Sequence, residues 1–166
     1  MNKLYIVLIL LILLVACNEE SAKQEVTNPM EHHEESHMQH NPLSGDLQEL
    51  TAMGELPAFL NEKHETVAAV YKIALEYADV LKWIPCYCGC GESAGHRSSL
   101  NCFIAEIRED EVLWDDHGTR CQVCMEIAVE SAKLAKEGKS IQEIRTYIDE
   151  KYQEGYSTPT PTEMPA

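Results

Sequence analysis

The sequence predicts an all-α fold, a small cysteine-rich helical bundle spanning residues 45–155. Apolar residues recur at every third or fourth position in three separate stretches, which is the spacing of amphipathic helices with one buried face. A proline or a glycine follows each stretch, at the point where a helix should end. The length of this region is that of one ordinary domain.

The first predicted helix runs from Glu65 to Trp83 and carries an apolar stripe. Pro85 ends it, because the residue before a proline is disfavoured in the helical region. A second helix is predicted to begin near Cys121 and to end at Gly138, where a left-handed glycine can close the last turn. Both helices would bury one face in a common core.

The third helix is predicted from its capping signal. Ser140 and Glu143 have the spacing of a capping box, apolar residues follow at helical intervals, and Gly155 ends the segment. A shorter helix is predicted within Asp46–Met53. The segment Ser98–Asp116 fits either a short helix or a pair of strands, and its two last aspartates are expected at the solvent surface.

Residues 1–16 have the pattern of a signal peptide. Lys3 supplies a positive charge, and the apolar run that follows is too short to span a bilayer but suits a signal-peptide core. The run ends in the residues LVAC, which resemble the lipobox of bacterial lipoproteins. This resemblance implies that Cys17 is acylated, and two or three acyl chains anchor a protein stably. We therefore expect a lipid-anchored protein of the cell membrane that faces outside the cytoplasm.

Residues 17–44 are predicted to be a disordered tether, because they are polar and lack apolar periodicity. Several imidazole and thioether side chains are concentrated here: Met30, His32, His33, His37, Met38 and His40. These groups bind copper, and imidazole also binds zinc, so the tether is either a weak metal collector or a solvating spacer. Residues 156–166 are predicted to be a disordered tail.

The charge of the chain narrows the range of partners. The sequence has 28 acidic and 13 basic residues, a formal net charge of −15. Such an excess repels phosphate backbones and argues against a nucleic-acid partner, whereas it attracts cations. The sequence indicates no particular protein partner.

The residues with distinctive chemistry are six further cysteines and two nearby histidines: Cys86, Cys88, Cys90, Cys102, Cys121, Cys124, His96 and His117. Alternate residues of an extended chain point the same way, and their Cα atoms are roughly 6.5 Å apart, near the upper limit for a disulfide. Sulfurs that share a zinc ion lie roughly 3.8 Å apart, which small rotations can reach. The C-x-C-x-C spacing therefore favours metal binding over disulfides within the motif.

The C-x-x-C pair, Cys121 and Cys124, is predicted at a helix start, where both thiols face one side. Exposed backbone N–H groups stabilise thiolates there, which suits a metal ligand or a redox dithiol. Each of the two histidines lies within six residues of a cysteine, in a loop that contains glycine. An incidental structural role for these histidines stays open.

The run Pro85-Cys86-Tyr87-Cys88-Gly89-Cys90 resembles the signature of the PCYCGC-motif lipoproteins of Bacillus-like bacteria. The later segments "GHRSSLNCF", "DHGTRCQVC" and "GKSIQEIRTYIDEKY" are also similar to that family, so the resemblance covers roughly residues 65–153. It implies an extracytoplasmic location and a cysteine core. It assigns no mechanism.

The sequence therefore favours a membrane-anchored protein that binds a soft metal ion through all six cysteines, with the two histidines as further candidate ligands. Copper(I) is the first expectation, because thiolates select soft ions, and zinc is the second. Two other functions stay open: a thiol–disulfide oxidoreductase that uses Cys121 and Cys124, and a disulfide-stapled interaction domain. We expect a binding protein rather than an enzyme.

Replacement of Cys17 by serine tests the predicted anchor. The change removes the acylation site of the predicted lipobox, so the protein should leave the membrane fraction and appear in the medium. Cell fractionation followed by immunoblotting measures this distribution. Full membrane retention of the variant would contradict the lipid anchor.

Overall fold

The structure is a computed structural model and describes residues 38–165. The predicted signal peptide, the acylation site at Cys17 and the tether as far as His37 lie outside the described residues. Among residues 38–165, no helix combines the length and the hydropathy needed to cross a bilayer.

The prediction of an all-α fold is wrong, because a four-stranded antiparallel sheet accompanies the helices. In spatial order the strands are β1 (Met38–His40), β2 (Leu47–Ala52), β4 (Glu111–Asp115) and β3 (Ile104–Ile107). Within residues 38–165 the helices are α1 (Glu65–Glu76), α2 (Ala78–Leu81), α3 (Cys90–Ser93), α4 (Gln122–Lys136) and α5 (Ile141–Tyr152). Short 3-10 turns lie at Ala58–Leu60, Ser99–Cys102 and Asp116–Arg120.

The helix predicted within Asp46–Met53 is instead strand β2, which pairs with β4 from Gln48 to Ala52. Residue Gln48 faces Asp115 in this register, and its side-chain amide donates a 2.8 Å hydrogen bond to the buried Asp115 carboxylate. The pairing partner is 67 residues away in sequence. Local propensity in a six-residue segment is weak, so pairing with a distant strand decides its conformation.

The segment Ser98–Asp116, for which two structures were possible, forms a 3-10 turn followed by the β3–β4 hairpin. Its last two aspartates are not simply solvated. Asp115 is completely buried, and its backbone carbonyl accepts a 2.7 Å hydrogen bond from the Tyr71 hydroxyl. This bond joins the end of β4 to helix α1.

The three long helices are confirmed. The first predicted helix is divided at Tyr77 into α1 and α2. Helix α4 begins directly after Cys121, and Gly138 follows it with the left-handed φ of 83° that the sequence predicts. Helix α5 carries the predicted capping box, in which the Ser140 hydroxyl and the Glu143 carboxylate bond each other's backbone N–H groups.

The core lies where helix α4 packs against α1, α5 and the turns that flank the β3–β4 hairpin. The Tyr71 ring of α1 contacts the Phe103 ring edge-on, with centroids 5.2 Å apart, and it also packs against Trp114 of β4. Four of the six cysteines in residues 38–165 belong to this same core. The packing that stabilises the fold therefore also fixes the positions of these cysteines.

One glycine is required by a close approach inside this core. A Cβ atom at Gly118 would lie 2.5 Å from two ring atoms of Phe103 and 2.9 Å from the carbonyl oxygen of Cys102. The Phe103 ring is completely buried and packs against the Tyr71 ring, so moving it would disturb the core. The backbone after His117 can reach its position only without a side chain at Gly118.

Gly118→Ala should therefore lower the free energy of unfolding by about 1–3 kcal/mol, the usual cost of overpacking a core. Urea denaturation of the full-length chain measures the change. Gly91→Ala is the matched control, because its Cβ would lie 3.3 Å from Thr160, in the C-terminal segment, where a small shift can relieve the contact. Equal destabilisation by the two substitutions would contradict this explanation.

Candidate metal centre

The C-x-C-x-C motif occupies the loop between α2 and α3. The sulfurs of Cys86 and Cys88 are 3.5 Å apart, as the alternation predicts. Tyr87, between them, points to α5 instead, where its hydroxyl donates a 2.8 Å hydrogen bond to Asp149. Gly89 has a left-handed φ of 90° and turns the chain into α3, whose first residue is Cys90.

The other cysteines are brought to this loop by two further elements, a 3-10 turn and the start of helix α4. Cys102 is the last residue of the Ser99–Cys102 turn, and the Ser99 N–H ties that turn to the Ile84 carbonyl with a 2.7 Å hydrogen bond. Cys124 lies in the first turn of α4 and faces the core, whereas Cys121 is the residue just before that helix.

Four sulfurs form a first set of mutually close donors: Cys86, Cys88, Cys102 and Cys124. All four lie within 4.8 Å of one another. Cys124 is 3.3 Å from Cys86 and 3.5 Å from Cys88, sulfur to sulfur. Ligands of a tetrahedral zinc ion are separated by roughly 3.8 Å, so this set needs little rearrangement to bind one ion.

A second set of four donors overlaps the first: Cys88, Cys90, Cys102 and His117. Its ligand atoms also lie within 4.8 Å of one another. The sulfurs of Cys90 and Cys102 are 3.6 Å apart, and the Nε2 atom of His117 is 3.7 Å from the Cys88 sulfur. Cys88 and Cys102 belong to both sets.

His117 is oriented by a carboxylate that the sequence did not single out. Its Nδ1 atom lies 3.0 Å from an oxygen of the buried Asp46 carboxylate, so its Nε2 atom points to the sulfurs. The Ser44 hydroxyl and the Arg120 guanidinium also donate to Asp46. Histidine ligands in metal sites commonly have such a carboxylate behind them, which fixes the orientation of the ring.

His96 lies beside the sulfurs but belongs to neither four-donor set. Its Nδ1 atom is 3.5 Å from the Cys102 sulfur, and its ring packs edge-on against that of His117. It shares a third group of close ligand atoms with Asp46 and His117. Asp46 and His117 hydrogen bond with each other in this third group. The three side chains therefore form a polar cluster beside the sulfurs.

The electrostatics of the thiols favour negative charge on Cys86 and Cys88 but not on Cys90. Contact with Cys102 lowers the pKa of the Cys90 thiol, but contacts with Cys86 and Cys88 and burial outweigh this effect and raise it. Contact with the Cys102 thiol lowers the pKa of Cys86 to about 4, and it lowers the pKa of Cys88 well below its ordinary value. Burial raises the pKa of Cys102 itself. The hydrogen bond with Cys88 raises the pKa of His117 to about 9. Thiolates are the form of cysteine that binds metals, so this part of the loop is prepared for a cation.

The six cysteines of residues 38–165 are all free thiols in this structure. The sulfur–sulfur contacts among them are 3.3 Å or longer, far beyond the roughly 2.05 Å of a disulfide bond. Cys121 is partly exposed and belongs to neither four-donor set. Hydrogen bonding with Cys124 lowers the pKa of the Cys121 thiol, but contact with Cys88 and burial outweigh this effect and raise it.

The segment after Gly155, which the sequence predicts to be a disordered tail, packs on the cysteine loop. The N–H of Ser157 donates to the Tyr87 carbonyl, and the N–H of Thr160 donates to the Cys86 carbonyl. The Thr160 hydroxyl in turn accepts a 2.9 Å hydrogen bond from the Cys86 N–H, and Thr160 is buried. Residues 157–160 therefore cover one side of the candidate metal centre.

The structure brings most of the predicted ligands together. Five cysteines and His117 supply the donors of the two overlapping sets, while Cys121 and His96 lie beside them. Sequence reasoning missed Asp46 and Thr160. Asp46 contacts His117, which is 71 residues away in sequence, and Thr160 contacts Cys86, which is 74 residues away. No local pattern could therefore have identified either residue.

The fold and the site define a cysteine-rich domain whose clustered thiols could hold a metal ion. The chain belongs to the family described as "Protein of unknown function with PCYCGC motif", whose model matches residues 6–165. This match confirms the resemblance found in the hexapeptide. Neither a curated protein nor a solved structure matches the chain.

Thr160→Val should weaken the cover over the loop. The substitution keeps the shape of the side chain but leaves the buried Cys86 N–H without its acceptor, which costs about 1–3 kcal/mol. Hydrogen exchange measured by NMR should therefore become faster at the Cys86 amide. Thr160→Ser, which keeps the hydroxyl, is the control, and equally fast exchange in both variants would contradict a role for this hydrogen bond.

Proposed function

We propose that this protein binds a soft metal ion at the cysteine cluster and is held by a lipid at the outer side of the cell membrane. The observation that carries the metal-binding proposal is the convergence of four sulfurs from three elements within 4.8 Å. Thiols that served only to fill the core would not need to meet at one point. Their neighbours Asp46 and His117 add the carboxylate–histidine arrangement typical of metal sites.

Copper(I) is the preferred ion and zinc the next. A donor set dominated by thiolates selects soft ions, and one imidazole is compatible with either metal. Three of the four sulfurs in the first set are completely buried, so a bound copper(I) ion would be shielded from water and oxidants. Zinc would also be held tetrahedrally by the same ligands, as in structural zinc sites.

The proposed location depends on Cys17 and the residues that precede it. Acylation at Cys17 would tether the domain to the membrane, and the His- and Met-rich residues 17–37 would lie between the lipid and the metal centre. Weak imidazole and thioether ligands in that segment suit the capture of copper ions and their transfer to stronger sites. The acidic character of the chain would further concentrate cations near it.

A thiol–disulfide oxidoreductase is the second candidate function. The observation that favours it is the position of Cys121, which is partly exposed at the start of α4, with the buried Cys124 one turn further on. Against it, an attacking thiol requires a lowered pKa, and the pKa of Cys121 is raised. Metal binding is therefore the better supported function.

Elemental analysis of the full-length chain, purified in detergent with reductant, tests the proposal. The protein should carry at least one copper or zinc ion, and removal of the metal by a chelator should lower its melting temperature, because the ion joins separate elements. Cys88→Ser should abolish metal binding at the cysteine cluster, since Cys88 belongs to both donor sets. Cys121→Ser is the matched control and should retain metal, because its sulfur lies outside both sets.

Two outcomes would contradict the metal-binding function, and a third would contradict the assignment of its ligands. Mass spectrometry of native protein that shows three intact disulfides and no metal would favour a stapled domain. Trapping of mixed disulfides on Cys121 in a Cys124→Ser variant would favour the oxidoreductase. Equal metal loss in Cys88→Ser and Cys121→Ser would show that the two donor sets are assigned incorrectly.

A further inference from the structure

The candidate metal centre contains more ligands than one ion can use. Six side chains make up the two four-donor sets: Cys86, Cys88, Cys90, Cys102, Cys124 and His117. Zinc bound by thiolates and imidazoles takes four ligands in a tetrahedron. A single ion in the first set would leave Cys90 and His117 without a metal, although Cys90 contacts Cys102 and His117 contacts Cys88 of that set.

The two sets overlap in a specific way, because they share two sulfurs. Cys88 lies 3.5 Å from Cys86 on one side and 3.7 Å from His117 Nε2 on the other. Cys102 likewise belongs to both sets and is 3.6 Å from Cys90. A thiolate has several lone pairs and can bind two metal ions at once. Shared sulfurs at these two positions are the arrangement that a pair of bridged ions requires.

The support behind His117 is independent evidence for the second set. The first set is complete without an imidazole, and yet His117 is held at its Nδ1 atom by the buried Asp46 carboxylate. Asp46 in turn is fixed by Ser44 and Arg120. In the second set, by contrast, His117 supplies the only nitrogen ligand. The hydrogen bonds behind its ring therefore orient a ligand of that set.

Charge balance also favours two ions. Cys86, Cys90, Cys102 and Cys124 have no exposed surface. One divalent ion among four thiolates leaves a net negative charge in the core, and burying an uncompensated charge is costly. A second divalent ion adds two positive charges and one further thiolate, Cys90, so it offsets half of this charge.

We propose that the centre binds two soft metal ions, bridged by the sulfurs of Cys88 and Cys102. The first ion is completed by Cys86 and Cys124, and the second by Cys90 and His117. This inference rests on the proposed metal-binding function and adds to it the number of ions and the bridging ligands. A two-ion thiolate cluster would store twice the metal of a simple tetrahedral site and would connect every element of the centre.

Metal stoichiometry and cadmium NMR test the inference. The full-length chain, reduced in detergent, is loaded with Zn²⁺ alone and its metal content is measured after removal of excess ion. Two zinc ions per chain are expected. Loading with ¹¹³Cd²⁺, which prefers thiolates in the same geometry, should give two resonances with scalar coupling between them, because coupling of this kind is transmitted only through a shared sulfur.

Two variants separate the sets. Cys90→Ser and His117→Gln each remove a ligand of the second set alone, so both should reduce the content from two ions to one. Cys121→Ser should keep two ions. Circular dichroism establishes that each variant is folded, and the use of two variants keeps the test valid if one of them fails to fold.

The outcomes distinguish this inference from the proposed function. One ion per wild-type chain would overturn the bridged pair while leaving the metal-binding function intact. No bound ion would overturn both. Two uncoupled cadmium resonances, or two ions retained in both Cys90→Ser and His117→Gln, would overturn the assignment of the bridging and second-set ligands.

Discussion

The contact between the Cys86 and Cys124 sulfurs, which are 3.3 Å apart, joins the loop after α2 to the first turn of α4. This contact lies inside the hydrophobic core, so the same packing that stabilises the fold also sets the geometry of the sulfurs. Thiols are tolerated there as small apolar groups, whereas thiolates need a compensating charge. The chemical state of the cluster is therefore coupled to the stability of the whole domain.

The surroundings of the cluster come from both ends of the described chain. Asp46, just before strand β2, orients His117, and Thr160, in the C-terminal segment, holds the backbone of Cys86. Neither residue contacts the sulfurs in a way that would make it a ligand. Their contacts fix the positions of the candidate ligands, and such preorganisation would reduce the entropy cost of binding an ion.

Local signals in the sequence were sufficient for the long helices and for much of the centre. Apolar periodicity, the capping box of Ser140 and the glycine at position 138 act within a few residues, and the structure confirms what they predicted. The convergence of Cys86 and Cys88 was also predictable, because side-chain alternation in an extended segment is local geometry. The family was likewise recognisable from six residues, and the match over residues 6–165 confirms it.

The sheet, the partners of the ligands and the division of the sulfurs into two sets were decided only by the tertiary structure. Strand β2 is six residues long and obtains its conformation from β4, far along the chain, so its own periodicity could not separate it from a helix. The contacts of Asp46 with His117 and of Thr160 with Cys86 span more than 70 residues. The sequence by itself determined which side chains are candidate metal ligands, because residue type and local spacing can be read directly from it. Folding alone determined which of them meet, because that depends on how distant segments pack.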